Sequence, residues 1–377
     1  MAGWADLPLD LLNSISNRLD VVSLLHLSTV CTSWASAIGC RLPALPSFDP
    51  DQPIPWLFLQ VEPSTSNPNH SDFTFYDLNS GSLYCVPSPI PYPSICGARW
   101  LGSNNGWLAL INWQHQFHLI SPLTGAHLLL PSVKFPDNYQ GILARYWSNN
   151  RAEWNYCAKV IPCQDPDRRS GSHSGLLVLA LFWPHGLAVW KDRGNKWTWL
   201  DLETRYKDAI VCGGKIYAVA HDFLHCWEVT GSSFKEWDIR TITNRMLKPH
   251  ANYLVEFGGK LLMVCRNKEW SRLSHRMSVY ELDLYQRDVL WEPVENIMDH
   301  ALFLGMGYSR VASTFALDGA QENCIYYVDD DYFFCDLSIK QPFPDHDSGV
   351  HNLEKKTYER FPVDYSPPAA WFWPCEL

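Results

Sequence analysis

Few residues in this 377-residue sequence have types and spacings that could perform catalysis. The segment Gly171-Ser-His-Ser-Gly175 resembles the turn that presents a nucleophilic serine, but His173 occupies the position that must be serine. The surrounding residues 165–175 are polar and rich in turn formers, which predicts a loop. No GxxxxGK(S/T) or GxGxxG motif occurs, and Gly213-Gly214-Lys215 is too short for either phosphate-binding loop. The sequence therefore predicts no catalytic residues.

Histidine, cysteine and aspartate side chains suggest metal binding at three places. These are His115 with His118, His221 with His225 and Cys226, and the run Asp329-Asp330-Asp331. The histidine pairs lie in or beside predicted hairpins and lack further grouped ligands, which favours structural or exposed histidines. The aspartate run lacks the spaced carboxylates and the glycine of a calcium loop, which favours a solvated turn. We therefore expect no metal and no cofactor.

Composition narrows the classes of partner and the compartment. The net charge is −10 and there is no basic patch beyond short pairs such as Arg168-Arg169, which argues against a nucleic-acid or anionic-membrane surface as the main partner. No apolar run approaches about 18 residues, and the N-terminus lacks the pattern of a signal peptide. The 12 cysteines are scattered without a CxxC pair, which is typical of reduced thiols. We expect a globular protein of the nucleus or the cytoplasm without disulfides.

The elements that could position a binding site begin with a helical segment over residues 4–39. Apolar residues spaced by three and four predict a first helix that opens at Asp6 and Pro8 and ends at Asp20. A second helix follows Ser23, and a third ends before Gly39. Chains below about 40 residues seldom stabilise themselves without help, so some of this apolar surface must meet another protein. The alternative is a helical cap packed on the rest of the chain.

The spacing within this segment carries a family resemblance. The matching positions are Leu7-Pro8, Asp10-Leu11-Leu12, Ile15, Arg18-Leu19, Ser23-Leu24, Leu27, Val30-Cys31 and Trp34. This order resembles the F-box, the adaptor-binding motif of cullin-type ubiquitin ligases. The resemblance implies that residues 1–40 bind a Skp-type adaptor, and through it a cullin. The adaptor-binding residues that it implies are Leu7, Pro8, Leu11, Leu12, Ile15, Leu19, Leu24, Leu27, Val30, Cys31 and Trp34.

After a Pro-rich linker over residues 41–55, the sequence predicts a mainly β domain over residues 56–377. The 18 Trp, 17 Tyr and 17 Phe, with 26 Pro and 21 Gly, are typical of short half-buried strands between tight turns. Gly213-Gly214-Lys215 recurs 45 residues later as Gly258-Gly259-Lys260, close to the roughly 40 to 50 residue period of propeller blades. We predict a single β-propeller of about six four-stranded blades, with Trp56–Val61 joining the last blade. The alternative is a pair of β-sandwiches.

This β domain also carries a resemblance. Its signals are Tyr76-Asp77-Leu78, Gly-Trp-Leu-Ala-Leu at 106–110, Ser121-Pro122-Leu123-Thr124-Gly125, Leu130-Pro131, the Gly-Gly-Lys repeats, Pro367-Pro368, Trp371 and Pro374. The order is similar to that of plant F-box proteins with a kelch-like β-propeller of the KIB type. The resemblance implies a non-catalytic substrate receptor that promotes ubiquitination and degradation of a protein whose identity the sequence does not give.

Residues at predicted turns are the candidates for contact with that protein. The sequence does not single out any one of these residues as a binding site. They are Trp113 with His115, Trp183 with His185, and Arg266 with Trp270 and Arg272. The alternative function is a propeller enzyme or a carbohydrate-binding propeller with a helical appendage. That alternative requires a polar, convergent pocket at the mouth of the central channel.

Overall fold

The described part of the chain forms six small β-sheets and a few short helices. A computed structural model describes residues 7–16, 27, 34, 55–63, 71–77, 81–96, 98–136, 157–164, 175–192, 194–221, 223–231, 233–241, 251–268, 275–282, 291–316, 320–328, 348–361 and 370–373. Within these residues, five sheets have four strands and one has five. The helices are α1 (Leu9–Ser16), α2 (Tyr92–Ile95) and a 3-10 turn (Thr314–Ala316).

Each sheet is one blade, and its strands are given from the centre of the ring outward. Blade 1 contains β25 (Ala370–Phe372), β1 (Trp56–Pro63), β2 (Ser71–Asp77) and β3 (Leu83–Pro87). Blade 2 contains β4 (Arg99–Asn104), β5 (Trp107–Ile111), β6 (Phe117–Ile120) and β7 (His127–Leu129). Blade 3 contains β8 (Cys157–Gln164), β9 (Leu176–Phe182), β10 (Leu187–Lys191) and β11 (Thr198–Asp201).

The remaining three blades follow in chain order. Blade 4 contains β12 (Asp208–Cys212), β13 (Lys215–Val219), β14 (Phe223–Thr230) and β15 (Ser233–Thr241). Blade 5 contains β16 (Ala251–Phe257), β17 (Lys260–Lys268), β18 (His275–Leu282) and β19 (Trp291–Val294). Blade 6 contains β21 (Arg310–Ser313), β20 (His300–Leu304), β22 (Cys324–Tyr327), β23 (Gly349–Asn352) and β24 (Tyr358–Arg360).

Six apolar clusters fill the spaces between neighbouring blades and close them into a ring. In the first of these spaces, Phe58 of blade 1 packs edge-on against Trp100 of blade 2, with ring centroids 4.7 Å apart. The last space joins Leu57 of blade 1 to Phe303 of blade 6. Every blade therefore packs on two neighbours, which is the architecture of a β-propeller and excludes a pair of sandwiches. The prediction of a six-bladed propeller is confirmed.

The strand that closes the ring differs from the predicted one. Trp56–Val61 does not join the last blade, because β1 pairs on one side with β2 and on the other with β25 near the end of the chain. In that second pairing Leu57 lies opposite Trp371. The prediction was wrong about the partner because an aromatic strand of three residues near the end carries too weak a pattern to identify. Closure by β25 removes the free sheet edge on the inner side of blade 1.

Two-residue turns explain the Gly-Gly-Lys repeat. Gly213 and Gly214 have positive φ angles of 55° and 78°, and Gly258 and Gly259 have positive φ angles of 58° and 79°. Two consecutive positive φ values define the type I′ turn, which matches the twist of a hairpin and favours glycine. Each pair connects the innermost strand of its blade to the second strand. The repeat thus marks the same position in blades 4 and 5.

Several predicted elements lie outside the described residues. They are the second and third predicted helices apart from Leu27 and Trp34, the linker apart from residue 55, and the predicted turn at residues 329–331. The domain boundaries at residues 40 and 56 stay predictions, although the first described propeller strand does begin at Trp56.

Candidate functional site

Helix α1 presents apolar side chains to solvent. The helix begins at the carbonyl of Pro8, which accepts hydrogen bonds from the backbone N–H groups of Leu11 at 3.1 Å and Leu12 at 3.0 Å. Leu11 is 51% exposed and Ile15 is 40% exposed. These two residues are four positions apart, so they share one face of the helix. An exposed apolar face on a short helix is what an adaptor-binding segment requires.

The other predicted adaptor-binding residues divide into three groups. Leu7 and Leu27 are half-buried, and Pro8 is exposed. Leu12 and Trp34 are buried, so these side chains face the interior of the chain itself. The residues outside the described part of the chain are Leu19, Leu24, Val30 and Cys31. For every member of the set, contact with an adaptor stays a prediction.

The central channel of the propeller is filled at one end by the loop over residues 305–309, between β20 and β21. The N–H of Tyr308 donates to the carbonyl of Ser103 at 2.9 Å, and the Tyr308 hydroxyl donates to the carbonyl of Val211 at 3.1 Å. Met306 and Ser309 are buried. Backbone and buried side chains therefore occupy this mouth of the channel.

A buried ion pair between innermost strands joins the neighbouring blades 3 and 4. The ammonium of Lys159 on β8 donates to Oδ1 of Asp208 on β12 at 2.6 Å. The other carboxylate oxygen of Asp208 accepts from the N–H of Leu254 on β16 at 2.9 Å. Burial raises the pKa of the Asp208 carboxyl, while Lys159 and the N–H donors oppose that rise. The pair is buried and both members have hydrogen-bond partners, so we interpret it as structural.

The opposite end of the ring carries several exposed residues in its described loops. Strands alternate in direction within a blade, so connections after the second and fourth strands lie at one end. We call this end the upper face, and its described connections include residues 88–96, 112–116, 183–186, 202–207, 220–221, 295–299 and 314–316. Large apolar side chains are exposed there, namely Trp113 at 53%, Met298 at 75% and Phe315 at 82%. The last of these follows β21, where Thr314 donates its N–H to the carbonyl of Asp299 at 2.8 Å.

The residues suggested at predicted turns have different environments. Trp113 is exposed on the upper face. Trp183 is half-buried, and the guanidinium of Arg205 lies 3.8 Å from its ring centroid. Arg266 is fully buried, and its guanidinium lies 4.8 Å from the ring centroid of Tyr327. The suggestion of Arg266 as a surface anchor was therefore wrong. Trp270 and Arg272 lie outside the described residues.

A cavity of about 390 Å³ opens on the upper face between blades 1 and 2. Its walls come from the connection after β3 and from the loop between β5 and β6, and two histidines of β6 and β7 complete it. The lining residues are Pro89, Ile90, Pro91, Ser94, Asn112, Trp113, Gln114, Gln116, His118 and His127. The sequence pointed to Trp113 but not to this cavity, because its two walls are separated by about 20 residues and meet only through the packing of neighbouring blades.

The two histidines of the cavity form a hydrogen-bonded, stacked pair. Nδ1 of His118 lies 2.8 Å from Nε2 of His127, and the rings are 5.0 Å apart and nearly parallel. Burial, with a smaller contribution from His127, lowers the pKa of His118 to about 4. Burial also lowers the pKa of His127. Both imidazoles are consequently neutral at pH 7.

A histidine that the sequence suggested as a metal ligand, and two of the cysteine thiols, lie in buried surroundings. Nδ1 of His225 lies 2.6 Å from the hydroxyl of Tyr206, and burial lowers the pKa of this histidine. Burial raises the pKa of Cys157 and Cys163 to about 12, so these thiols stay protonated.

In the described portion, no three His, Cys, Asp or Glu side chains come together as metal ligands. Nor does that portion include a helix of the length and apolarity needed to span a membrane.

Comparison with protein families finds two matches. The family described as the F-box domain matches residues 4–40. The family described as the KIB1-4 beta-propeller matches residues 75–352. The two matched regions coincide with the helical segment and with most of the ring of blades.

Comparison with curated proteins finds relatives from Arabidopsis thaliana. F-box protein At4g22660 is 24% identical, with 86% of each chain covered. F-box protein At2g05970 is 22% identical, with 91% of each chain covered. F-box protein KIB3 is 23% identical over 86% of this chain and 71% of that protein. The matches to these relatives therefore cover 86–91% of this chain.

Proposed function

Because the chain belongs to the family of plant F-box proteins that carry a KIB1-4 β-propeller, we propose that it is the substrate-recognition subunit of a Skp–cullin–F-box ubiquitin ligase. In this role the F-box segment docks on a Skp-type adaptor, and the propeller holds a protein substrate. The observation that carries the proposal is the joint presence of the two family matches in this chain, supported by relatives named F-box proteins that are matched over most of their length.

The geometry of helix α1 supports the adaptor half of the proposal. Leu11 and Ile15 present apolar surface to solvent. Burying a large apolar side chain is favourable by about 1.5–3 kcal/mol, and the exposed side chains do not gain this free energy in the isolated chain. An interface between helices of two chains recovers that free energy. The proposed contacts are those on the exposed face, with Pro8 beside them at the start of the helix.

The upper face supports the substrate half of the proposal. It carries loops on a rigid ring of sheets, which is the usual location of binding residues. A receptor of this kind needs no reacting side chains, because the ligase holds a substrate lysine close to a ubiquitin-charged enzyme. Such positioning converts an encounter between two molecules into a nearly intramolecular step. We accordingly propose a non-catalytic role, in the nucleus or the cytoplasm.

Co-purification with a plant Skp-type adaptor tests the proposal. The double substitution Leu11→Ala with Ile15→Ala removes the exposed apolar face of α1 and leaves the buried Leu12 in place. We expect the amount of adaptor recovered with the full chain to fall by about tenfold, as for hot-spot residues at interfaces.

A matched control uses two exposed leucines of the propeller. Leu83 is 59% exposed and Leu129 is 51% exposed. The double substitution Leu83→Ala with Leu129→Ala removes a similar apolar area elsewhere, and adaptor recovery should stay at the level of the unsubstituted chain. Failure of the unsubstituted chain to bind the adaptor, or equal recovery with both double variants, would contradict the proposal.

A further inference from the structure

We propose that the cavity between blades 1 and 2 binds an extended, uncharged segment of the substrate protein, with a proline or similar apolar side chain packed on Trp113. This inference rests on the proposed function, because that function makes the ligand a protein. It adds the location of the contact and the chemical class of the recognised segment.

The first wall of the cavity is fixed before any ligand arrives. The hydroxyl of Ser88 donates to the carbonyl of Ile90 at 3.0 Å and accepts from its N–H at 3.1 Å. The hydroxyl of Ser71, on β2, also donates to that carbonyl at 3.4 Å. The side chain of Ile90 is itself buried. Pro89 and Pro91 therefore flank a residue that is hydrogen-bonded within the segment by Ser88 and to blade 1 by Ser71.

The second wall is fixed by Asn112. Its Oδ1 accepts from the N–H groups of Gln114 at 3.0 Å and Gln116 at 2.9 Å. His115, within the same loop, has a positive φ of 62° and donates its N–H to the carbonyl of Asn112 at 3.0 Å. The loop that carries Trp113 is thus held by hydrogen bonds at its base. A pre-organised site loses less entropy when it binds a ligand.

Trp113 stands at the tip of this fixed loop with 53% of its surface exposed. Leaving a large aromatic side chain in water is unfavourable, and the fixed loop holds it there beside the cavity. Tryptophan is among the residues most often found as interface anchors. Its flat face also suits proline, which docks on aromatic-lined grooves in known modes of peptide recognition.

The hydrogen-bond network gives the cavity donors without charge. Because Oδ1 of Asn112 accepts two backbone N–H groups, its Nδ2 is the donor, 3.2 Å from Nε2 of His118. His118 then carries its proton on Nδ1 and donates to Nε2 of His127, which leaves His127 protonated on Nδ1. The lining contains no Asp, Glu, Lys or Arg. The relay therefore ends at a neutral N–H donor.

These features select an extended peptide as the occupant. Backbone carbonyls of an extended or polyproline II segment have no internal hydrogen bonds, so they are available to the imidazole of His127 and the amide of Gln114. A cavity of about 390 Å³ lies near the lower end of the roughly 300–1,000 Å³ range of ligand pockets. It therefore accommodates a short piece of chain. A charged side chain would lose its hydration without gaining an opposite charge in the lining.

Peptide capture by the full chain tests this inference. The immobilised protein is probed with three pooled libraries of fluorescein-labelled nonapeptides that carry proline, glutamate or lysine at the central position and uncharged residues elsewhere. We expect the proline library to be retained about fivefold above the two charged libraries. Trp113→Ala should reduce that retention to the level of the charged libraries, since it removes the anchor.

A matched control uses a second exposed tryptophan. Trp237 on β15 is 56% exposed, so Trp237→Ala removes the same side chain from another surface and should leave retention unchanged. Equal retention of the three libraries, full retention by the Trp113→Ala variant, or equal loss with Trp237→Ala would overturn the inference. Trp113-dependent binding of a neutral tetrasaccharide without peptide retention would also overturn it.

The failure of this inference can be separated from the failure of the proposed function. The Trp113→Ala variant is also carried through the co-purification with the adaptor, where it should behave as the unsubstituted chain. A chain that binds the adaptor but retains no peptides contradicts the inference alone. A chain that retains the peptides but binds no adaptor contradicts the proposed function alone.

Discussion

The histidines of the cavity couple binding chemistry to the stability of the fold. His118 is 6% exposed on β6, and its neutral ring is required to accept from Asn112 and to donate to His127. Protonation of the buried ring would add a second donor where an acceptor is needed and would place a charge away from water. The hydrogen-bonded pair therefore requires a neutral His118, and protonation of His118 at acidic pH destabilises it.

The sign of the resulting pH dependence follows from the direction of the pKa shift. The pKa of His118 is about 4 in the folded chain and 6.5 for the ordinary side chain, so the unfolded state binds more protons between these values. Its contribution to stability is present above about pH 6.5 and is lost as the pH falls toward about 4. Between about pH 7 and pH 5, we expect the melting temperature of the His118→Gln variant to fall by fewer degrees than that of the unsubstituted chain.

Thermal unfolding followed by circular dichroism at several pH values measures this effect. His221 is exposed on the upper face, so His221→Gln serves as the matched control and should keep the acid sensitivity of the unsubstituted chain. If His118→Gln and the unsubstituted chain lost the same number of degrees on acidification, a neutral buried His118 would be refuted.

At the scale of elements, the innermost strands of the blades differ from the rest. They carry buried polar groups that bond to the adjacent blade, including Arg99 on β4, Lys159 on β8 and Asp208 on β12. A charged residue interrupts the apolar pattern by which a strand is recognised in a sequence. The sequence therefore pointed to the second strands of blades 4 and 5, which the Gly-Gly-Lys repeats open, and not to the innermost strands that precede them.

The same argument explains which part of the candidate site was predictable. Trp113 and its turn follow from the local sequence, because the loop between β5 and β6 is short and its flanking strands are strongly apolar. The wall formed by Pro89 and Pro91 belongs to a different blade. Only the packing of blade 1 on blade 2 brings it to Trp113, and that packing is a contact between distant parts of the chain.

The buried ion pair between blades 3 and 4 provides a prediction at this scale. Asp208→Asn removes the charge that neutralises Lys159 while keeping an acceptor for the N–H of Leu254. Breaking a buried pair from one side destabilises proteins by about 3–5 kcal/mol, so we expect a loss of that order in the free energy of unfolding. Urea denaturation measures it.

Two further variants test the reason for that loss. In Lys159→Met with Asp208→Asn the unpaired ammonium is gone, so the double variant should be more stable than Asp208→Asn alone. Glu281→Gln breaks an ion pair of the same 2.6 Å length with Lys260, whose side chain is 60% exposed, and should change stability little. A double variant no more stable than Asp208→Asn would show that the unpaired ammonium of Lys159 is not the cause of the loss.

At the scale of the whole molecule, the ring is closed by residues from the two ends of the propeller. Phe372 of β25 is fully buried and lies 4.9 Å from Phe75 of β2 in the cluster between blades 1 and 2. Trp371, next to it, donates from its indole N–H to the carbonyl of Leu304 on β20 at 2.9 Å. One short strand therefore joins blades 6, 1 and 2, which no local sequence pattern could indicate.

Closure of this kind predicts that a single side chain of β25 affects every blade. In an open array the two end units pack on one neighbour only. In this closed ring every blade packs on two neighbours. We expect Phe372→Ala to lower the free energy of unfolding by about 3–5 kcal/mol and to keep one cooperative transition, with circular dichroism and tryptophan fluorescence coinciding in urea. Phe315→Ala, at a phenylalanine that is 82% exposed, should leave the transition in place. A separate early transition in the Phe372→Ala variant would instead show that blade 1 can open alone, and the ring would then behave as an array of independent units.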